Sequence, residues 1–164
     1  MLRLLLVPAL YGAVFLSAAQ AATNSFFKHL SGNWSGAGQA YLPKVGEVSV
    51  DCQTRITGDD TQIAMKGSCG FLVIRQPLEF TITNSDGNNY VGTYTGSRTG
   101  PAKLNGTLQG DRLILTITWG GLVNGDRTAQ MVLQRTGPNT FALTVNDCVA
   151  GKNRSTSSFT FKRN

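Results

Sequence analysis

Residues 104–145 read LNGTLQGDRLILTITWGGLVNGDRTAQMVLQRTGPNTFALTV, a run of strands and turns whose registers follow from the residues themselves. Gly110-Asp111 separates Thr107-Leu108-Gln109 from Arg112-Leu113-Ile114. Gly at the first central position of a two-residue loop fits a II′ or I′ turn, whose twist matches that of the flanking strands. The loop sets Leu108 opposite Leu113, Gly106 opposite Leu115 and Leu104 opposite Ile117. Apolar residues of both strands then share one face, as period-two alternation requires of a half-buried sheet.

Asn124-Gly125-Asp126 marks the next hairpin. Taken as a three-residue loop it pairs Ile117 with Leu133 and Trp119 with Met131, whereas a two-residue Asn-Gly loop slips Leu133 to the other face. The longer loop is the expectation. A turn at Gly137-Pro138-Asn139 then places Phe141 opposite Arg135, Leu143 opposite Leu133 and Val145 opposite Met131, with Pro supplying a preset φ where no ladder donor is needed. Leu115, Ile117, Trp119, Met131, Leu133, Phe141, Leu143 and Val145 are expected to face one core.

The same logic applies upstream. Val48, Val50, Cys52, Thr54 and Ile56 alternate in one segment, and Ile63, Met65, Gly67, Cys69 and Phe71 in the next. Setting Cys52 opposite Cys69 brings Ile56 opposite Met65 and Val50 opposite Phe71, so the apolar pattern and a disulfide demand one register. A Cys52–Cys69 bridge is expected, with Cys148 left over as a free thiol or in an intermolecular bridge, and read as a partly buried small residue rather than a reactive one.

Residues 1–21 read as a secretory signal peptide cut before Ala22. Arg3 supplies the charged start, residues 4–16 the apolar stretch, and Ala19-Gln20-Ala21 the small-residue cleavage site. The apolar run is short for a bilayer span of about 20 residues, so no membrane span is expected. Residues 22–164 are long enough for a single domain with its own core. They carry 14 Lys and Arg against 9 Asp and Glu, scattered except for Lys152, Arg154, Lys162 and Arg163. Without a basic cluster on a reading element, the positive surface reads as solubility, and no nucleic-acid partner is expected. Export suits a disulfide and places the protein in the periplasm or outside the cell.

In chain order, residues 25–30 have room for one helical turn capping a sheet. A first strand follows, with Trp34, Gly36, Gly38 and Ala40 on one face; glycines inside a strand mark a bend or another backbone close by. Residues 71–74 and 78–83 read as strands broken at Pro77, residues 89–97 as a strand of undecided inner face, and residues 156–162 as the last. No stretch of ten or more residues after the leader has helical apolar spacing. Short strands recurring every roughly 8–12 residues with tight turns fit an all-β, antiparallel up-and-down β-barrel of about eight strands.

Gly32-Asn33-Trp34, preceded by a short apolar segment and followed by an antiparallel meander, resembles the calycin families: lipocalins, fatty-acid-binding proteins and avidins. In lipocalins a basic residue near the barrel's end packs this Trp, a role the resemblance gives to Lys162 or Arg163. The second lipocalin motif and the avidin ligand tryptophans are absent. Leu30-Ser31-Gly32-Asn33-Trp34 with two cysteines in the next hairpin also resembles small exported alphaproteobacterial proteins, which implies a location only. Bacterial periplasmic metalloprotease inhibitors share a Leu-x-Gly-x-Trp opening and an early disulfide, and their N-terminal tail enters the protease; the corresponding tail here is Ala22-Thr23-Asn24-Ser25.

Reactive constellations are missing. His29 is the single histidine, so a Ser-His-Asp or Cys-His site and a His/Cys zinc site are not expected. Asp59-Asp60 and Asp86 fall in turns, where Asp bonds its own backbone. No metal, no cofactor and no enzymatic activity are expected. The function that follows is an exported, non-enzymatic binding protein for a small apolar or amphipathic ligand. Its candidate lining is Trp34, Gly36, Gly38, Leu115, Ile117, Trp119, Met131, Leu133, Phe141 and Leu143. The alternative is a protein-interaction module such as a periplasmic protease inhibitor or cell-envelope factor, with a protein partner in place of the ligand.

Overall fold

The computed structural model describes residues 26–164; the expected leader, residues 1–21, lies outside them. Residues 26–30 form a short helix, α1. Eleven strands follow: β1 (Gly32–Leu42), β2 (Gly46–Gly58), β3 (Gln62–Phe71), β4 (Ile74–Pro77), β5 (Phe80–Asp86), β6 (Asn89–Tyr94), β7 (Ala102–Gln109), β8 (Arg112–Val123), β9 (Asp126–Gly137), β10 (Thr140–Val149) and β11 (Lys152–Arg163). They pair in the order β2-β1-β11-β10-β9-β8-β7-β6-β5-β3, and β2 pairs again with β3, so ten strands close into an antiparallel barrel. The meander is the expected one, with ten wall strands where about eight were expected. β4 pairs only with β3, an edge strand ending at Pro77, where the missing N–H of Pro costs no ladder bond.

Most registers are those the alternation dictates. Leu108 faces Leu113, Gly106 faces Leu115 and Leu104 faces Ile117; Phe141 faces Arg135, Leu143 faces Leu133 and Val145 faces Met131. Cys52 faces Cys69 and Ile56 faces Met65, and the two cysteines form a disulfide with Cα atoms 4.0 Å apart. Gly106 shows why a strand interior tolerates glycine here: a Cβ would lie 1.9 Å from the Ile114 carbonyl oxygen.

The second hairpin differs from expectation. Its turn is the two-residue Asn124-Gly125, both at positive φ (55° and 94°), closed by Val123 opposite Asp126. Asn-Gly is a strong former of the I′ turn, so turn chemistry prevails locally. The core face is recovered by a bulge between Thr118 and Val123, where Gly120 and Gly121 let the chain bend. Ile117 therefore faces Ala129, Leu115 faces Met131 and Leu113 faces Leu133, replacing the expected Ile117–Leu133 and Trp119–Met131 pairs. Two further boundaries move. Leu72 and Val73 turn rather than continue a strand, Leu72 at φ 54°. β11 begins at Lys152 rather than residue 156, because Ala150-Gly151 forms another two-residue turn of positive φ (52° and 76°). That long strand separates the four C-terminal cations. Lys152 sits on its first rung and Lys162 near its last, roughly 35 Å apart at the usual rise per residue.

One end of the barrel is sealed by α1, whose Phe26, Phe27 and Leu30 are buried. Phe27 meets Tyr90 edge-on with centroids 5.6 Å apart. The Trp34 indole donates to the Leu30 carbonyl at 2.8 Å, stands edge-on to Phe141 at 4.8 Å, and Phe141 stacks on Phe161 at 4.5 Å. Arg163 lies over the Trp34 ring, 4.2 Å from its centroid, and donates to the carbonyls of His29 and Ser31. Of the two cations the resemblance offered, Arg163 takes the role; Lys162 is exposed.

Two outcomes follow. Arg163→Ala loses a cation–π contact and two charge-assisted hydrogen bonds, so urea unfolding should show it less stable by about 2–4 kcal/mol, with Lys162→Ala within about 0.5 kcal/mol of the parent. Thiol titration of the denatured protein should find one thiol before reduction and three after. Reduction opens a crosslink spanning 17 residues, which should lower stability by about 3 kcal/mol.

Candidate ligand site at the open end of the barrel

The end opposite α1 carries no helix among the described residues. Strand alternation carries the core toward it through Ala40, Leu42, Phe71, Tyr94, Val123 and Val145, each partly buried against the core. The β1–β2, β3–β4, β8–β9 and β10–β11 turns surround it, together with the loop of residues 95–101.

Trp119 stands at this mouth. It is 9% exposed, and its ring lies 6.2 Å from that of Tyr94. Its inward place continues the alternation of Leu113, Leu115 and Ile117, and two glycines follow it. A Cβ on Gly120 would lie 2.4 Å from the Thr99 carbonyl oxygen, so only glycine lets the 95–101 loop cross there, and Arg127 donates to the Gly120 carbonyl at 2.8 Å. The turn beside it is tied down by Asp126, whose carboxylate accepts from the N–H groups of Arg127 and Thr128 and the Thr128 hydroxyl. Those bonds, the backbone N–H of Thr128 foremost, hold the Asp126 carboxyl below its usual range.

The wall carries polar groups as well. Asp147, 4% exposed, accepts from the Asn124 side-chain amide at 2.8 Å and from its own neighbour's N–H, that of Cys148, at 2.8 Å. It shares the rung of Ala129 and Ile117, one inward position below Trp119 on the β8 side. Burial pushes the Tyr94 phenol above its ordinary value. Among the described residues two buried polar side-chain atoms have no partner: the Trp119 indole Nε1 and the Thr54 hydroxyl. They lie on β8 and β2, five strands apart in either direction round the ten-strand ring, hence on opposite walls.

All ten expected lining residues face the barrel interior or its glycine-lined wall, but they are spread along its height. Trp34 and Phe141 belong to the aromatic stack at the sealed end. Gly36 leaves no room, because the Phe161 ring lies where its side chain would be, 2.5 Å from a Cβ; Gly38 is filled in the same way by the backbone at Ser158 and Phe159. Leu115, Ile117, Met131, Leu133 and Leu143 form the buried middle. Trp119 alone of the ten stands at the open end with an unsatisfied group. Asp147, Tyr94 and Asn124 were not among the expected residues. The signal for Asp147 was present, since it is the next inward position after Phe141, Leu143 and Val145.

The reactive groups are elsewhere. His29 contacts the Gly137 carbonyl at 3.0 Å at the sealed end, and Cys148 is a half-buried free thiol. Among the described residues no group of three or more His, Cys, Asp or Glu could hold a metal, and no helix is long and apolar enough to cross a membrane.

The chain matches no family model and no curated sequence. Solved structures do resemble it. Rv2717c from M. tuberculosis superposes with a TM-score of 0.67 at 14% identity, over 91% of this chain and 99% of the other. The S-type phycobiliprotein lyase CPES from Guillardia theta does so with a TM-score of 0.60 at 13% identity, over 93% and 98%. The fold is a calycin-like barrel.

Proposed function

We propose that this protein is an exported, non-enzymatic barrel that binds one small apolar or amphipathic molecule at its open mouth. The observation that carries the reading is the Trp119 Nε1–H, a buried donor with no acceptor among the described residues. A buried donor left unpaired costs about 1–3 kcal/mol, and a ligand oxygen placed at the mouth removes that cost. The surrounding wall is apolar, with Tyr94 stacked edge-on to the indole, which suits a chain or ring; the Asp147 carboxylate favours a neutral head over an anionic one. Likeness to a barrel named as a phycobiliprotein lyase supports a small-molecule role for the fold. The disulfide supports an oxidising location. In this reading Trp34 is structural, and the ligand meets Trp119.

The test uses three probes of equal chain length: dodecane, dodecanol and monododecanoylglycerol. The two that carry an oxygen should change tryptophan emission and bind about tenfold tighter than the alkane. Trp119→Phe should abolish that preference, while Trp34→Phe should keep it. Equal binding of all three probes by parent and Trp119→Phe, or no binding at all, would refute the assignment. Native mass spectrometry of protein taken from its own host should show a bound small molecule.

A further inference from the structure

Six large apolar side chains are well exposed among the described residues, and five of them stand at one end of the barrel. Val45 (66%) tips the β1–β2 turn, Leu72 (86%), Val73 (96%) and Ile74 (62%) tip the β3–β4 hairpin, and Leu122 (68%) caps the β8 bulge. The sixth, Val91, lies on the side wall in β6. The sealed end has none. Loop tips are where exposed side chains are ordinarily polar, so apolar tips on both sides of one mouth are not random scatter.

Cations are interleaved with them. Lys44 precedes Val45 and Arg75 follows Ile74; both are exposed, and neither forms an ion pair with any described residue, the three pairs being Lys28–Asp60, Arg135–Asp111 and Arg154–Glu47. Lys152 and Arg98, also exposed and without an ion pair among the described residues, lie in or beside the other connections at this end. Apolar tips interleaved with cations that form no ion pair among the described residues match an anionic lipid surface, which offers acyl chains next to phosphates. A protein partner would more ordinarily be met by a flat patch with aromatic anchors, and none of the five tips is aromatic.

We infer that the open rim of the barrel docks on an anionic bilayer surface, with Val45, Leu72, Val73, Ile74 and Leu122 entering the acyl boundary and Lys44 and Arg75 meeting lipid phosphates. The docking uses none of the groups assigned to the ligand, so it stands or falls separately from that reading. It does place the mouth against lipid.

The experiment is co-sedimentation with vesicles of phosphatidylglycerol and phosphatidylcholine at equal parts, against vesicles of phosphatidylcholine alone. Parent protein should bind the mixed vesicles at least tenfold better, and 0.5 M salt should erase most of the difference. A double Leu72→Ser, Val73→Ser variant should lose tenfold or more in partitioning. Lys44→Glu with Arg75→Glu should lose about twentyfold or more, each cation contributing about fivefold at such a surface. Lys162→Glu with Arg112→Glu, at the other end, should bind within twofold of the parent. Every variant carries the same N-terminus, so differences between them report the rim, and near-ultraviolet circular dichroism confirms that each is folded. Absence of binding to the mixed vesicles overturns the inference, as does an equal loss in the Lys162/Arg112 variant. It is also overturned if light scattering shows a dimer that Leu72→Ser, Val73→Ser dissociates, because the rim would then belong to a second copy.

Discussion

The contact between Arg163 and Trp34 joins three things that must be right together. The two residues face each other across the β1–β11 rung, so their stacking records that the first and last strands have met in register. The guanidinium also reaches the carbonyls of His29 and Ser31, and the indole reaches that of Leu30. The last carbonyls of a short helix, which have no partner within it, are thus satisfied by the strand that closes the wall. A five-residue helix is far too short to persist alone; α1 exists because the barrel end both buries its apolar face and accepts its orphan groups. Sealing one end in this way makes the two ends of the barrel chemically unlike.

That asymmetry organises the rest. At the sealed end the Trp34 indole and the Arg163 guanidinium find acceptors, aromatic rings stack, and Gly36 and Gly38 of β1 are filled by Phe161 and by the backbone at Ser158 and Phe159. At the open end the core residues are only partly covered, one indole donor is left without an acceptor, and the turn tips carry apolar side chains. In β8 Trp119 keeps the inward alternation of Leu113, Leu115 and Ile117, and within the bulge Leu122 faces outward. A β-bulge is a common way to redirect side chains without breaking the sheet.

Much of this was legible in the chain, for identifiable reasons. Registers were recoverable wherever a buried face and a tight turn agreed, as at Gly110-Asp111, and where a covalent constraint agreed with alternation, as for Cys52 and Cys69. The hairpin at Asn124-Gly125 misled because two rules conflicted there. Turn preference demanded two residues and the apolar face demanded an odd correction, and the chain satisfied both through a bulge that period-two reasoning does not contain. The candidate lining is spread along the height of the barrel, because alternation says which way a side chain points and nothing of its height. Asp147 escaped notice for the opposite reason: its charge spoke against an inward place that the alternation itself assigned. The apolar residues 71–74 read as one strand because Val and Ile favour strands; the positive φ at Leu72, which turns the chain at Leu72 and Val73, has no signal in the residues themselves.

The pairing of β1 with β11 has one more consequence, for the order of events in folding. Trp34 and Arg163 lie on the same rung though nearly the whole described chain separates them, and closing so long a loop comes late in any route. Hairpins such as β7–β8 can form early, but the ring has no complete wall until its final strand arrives. With that topology the last rung closes the whole ring, so a chain that lost its final strand would have no closed wall at all.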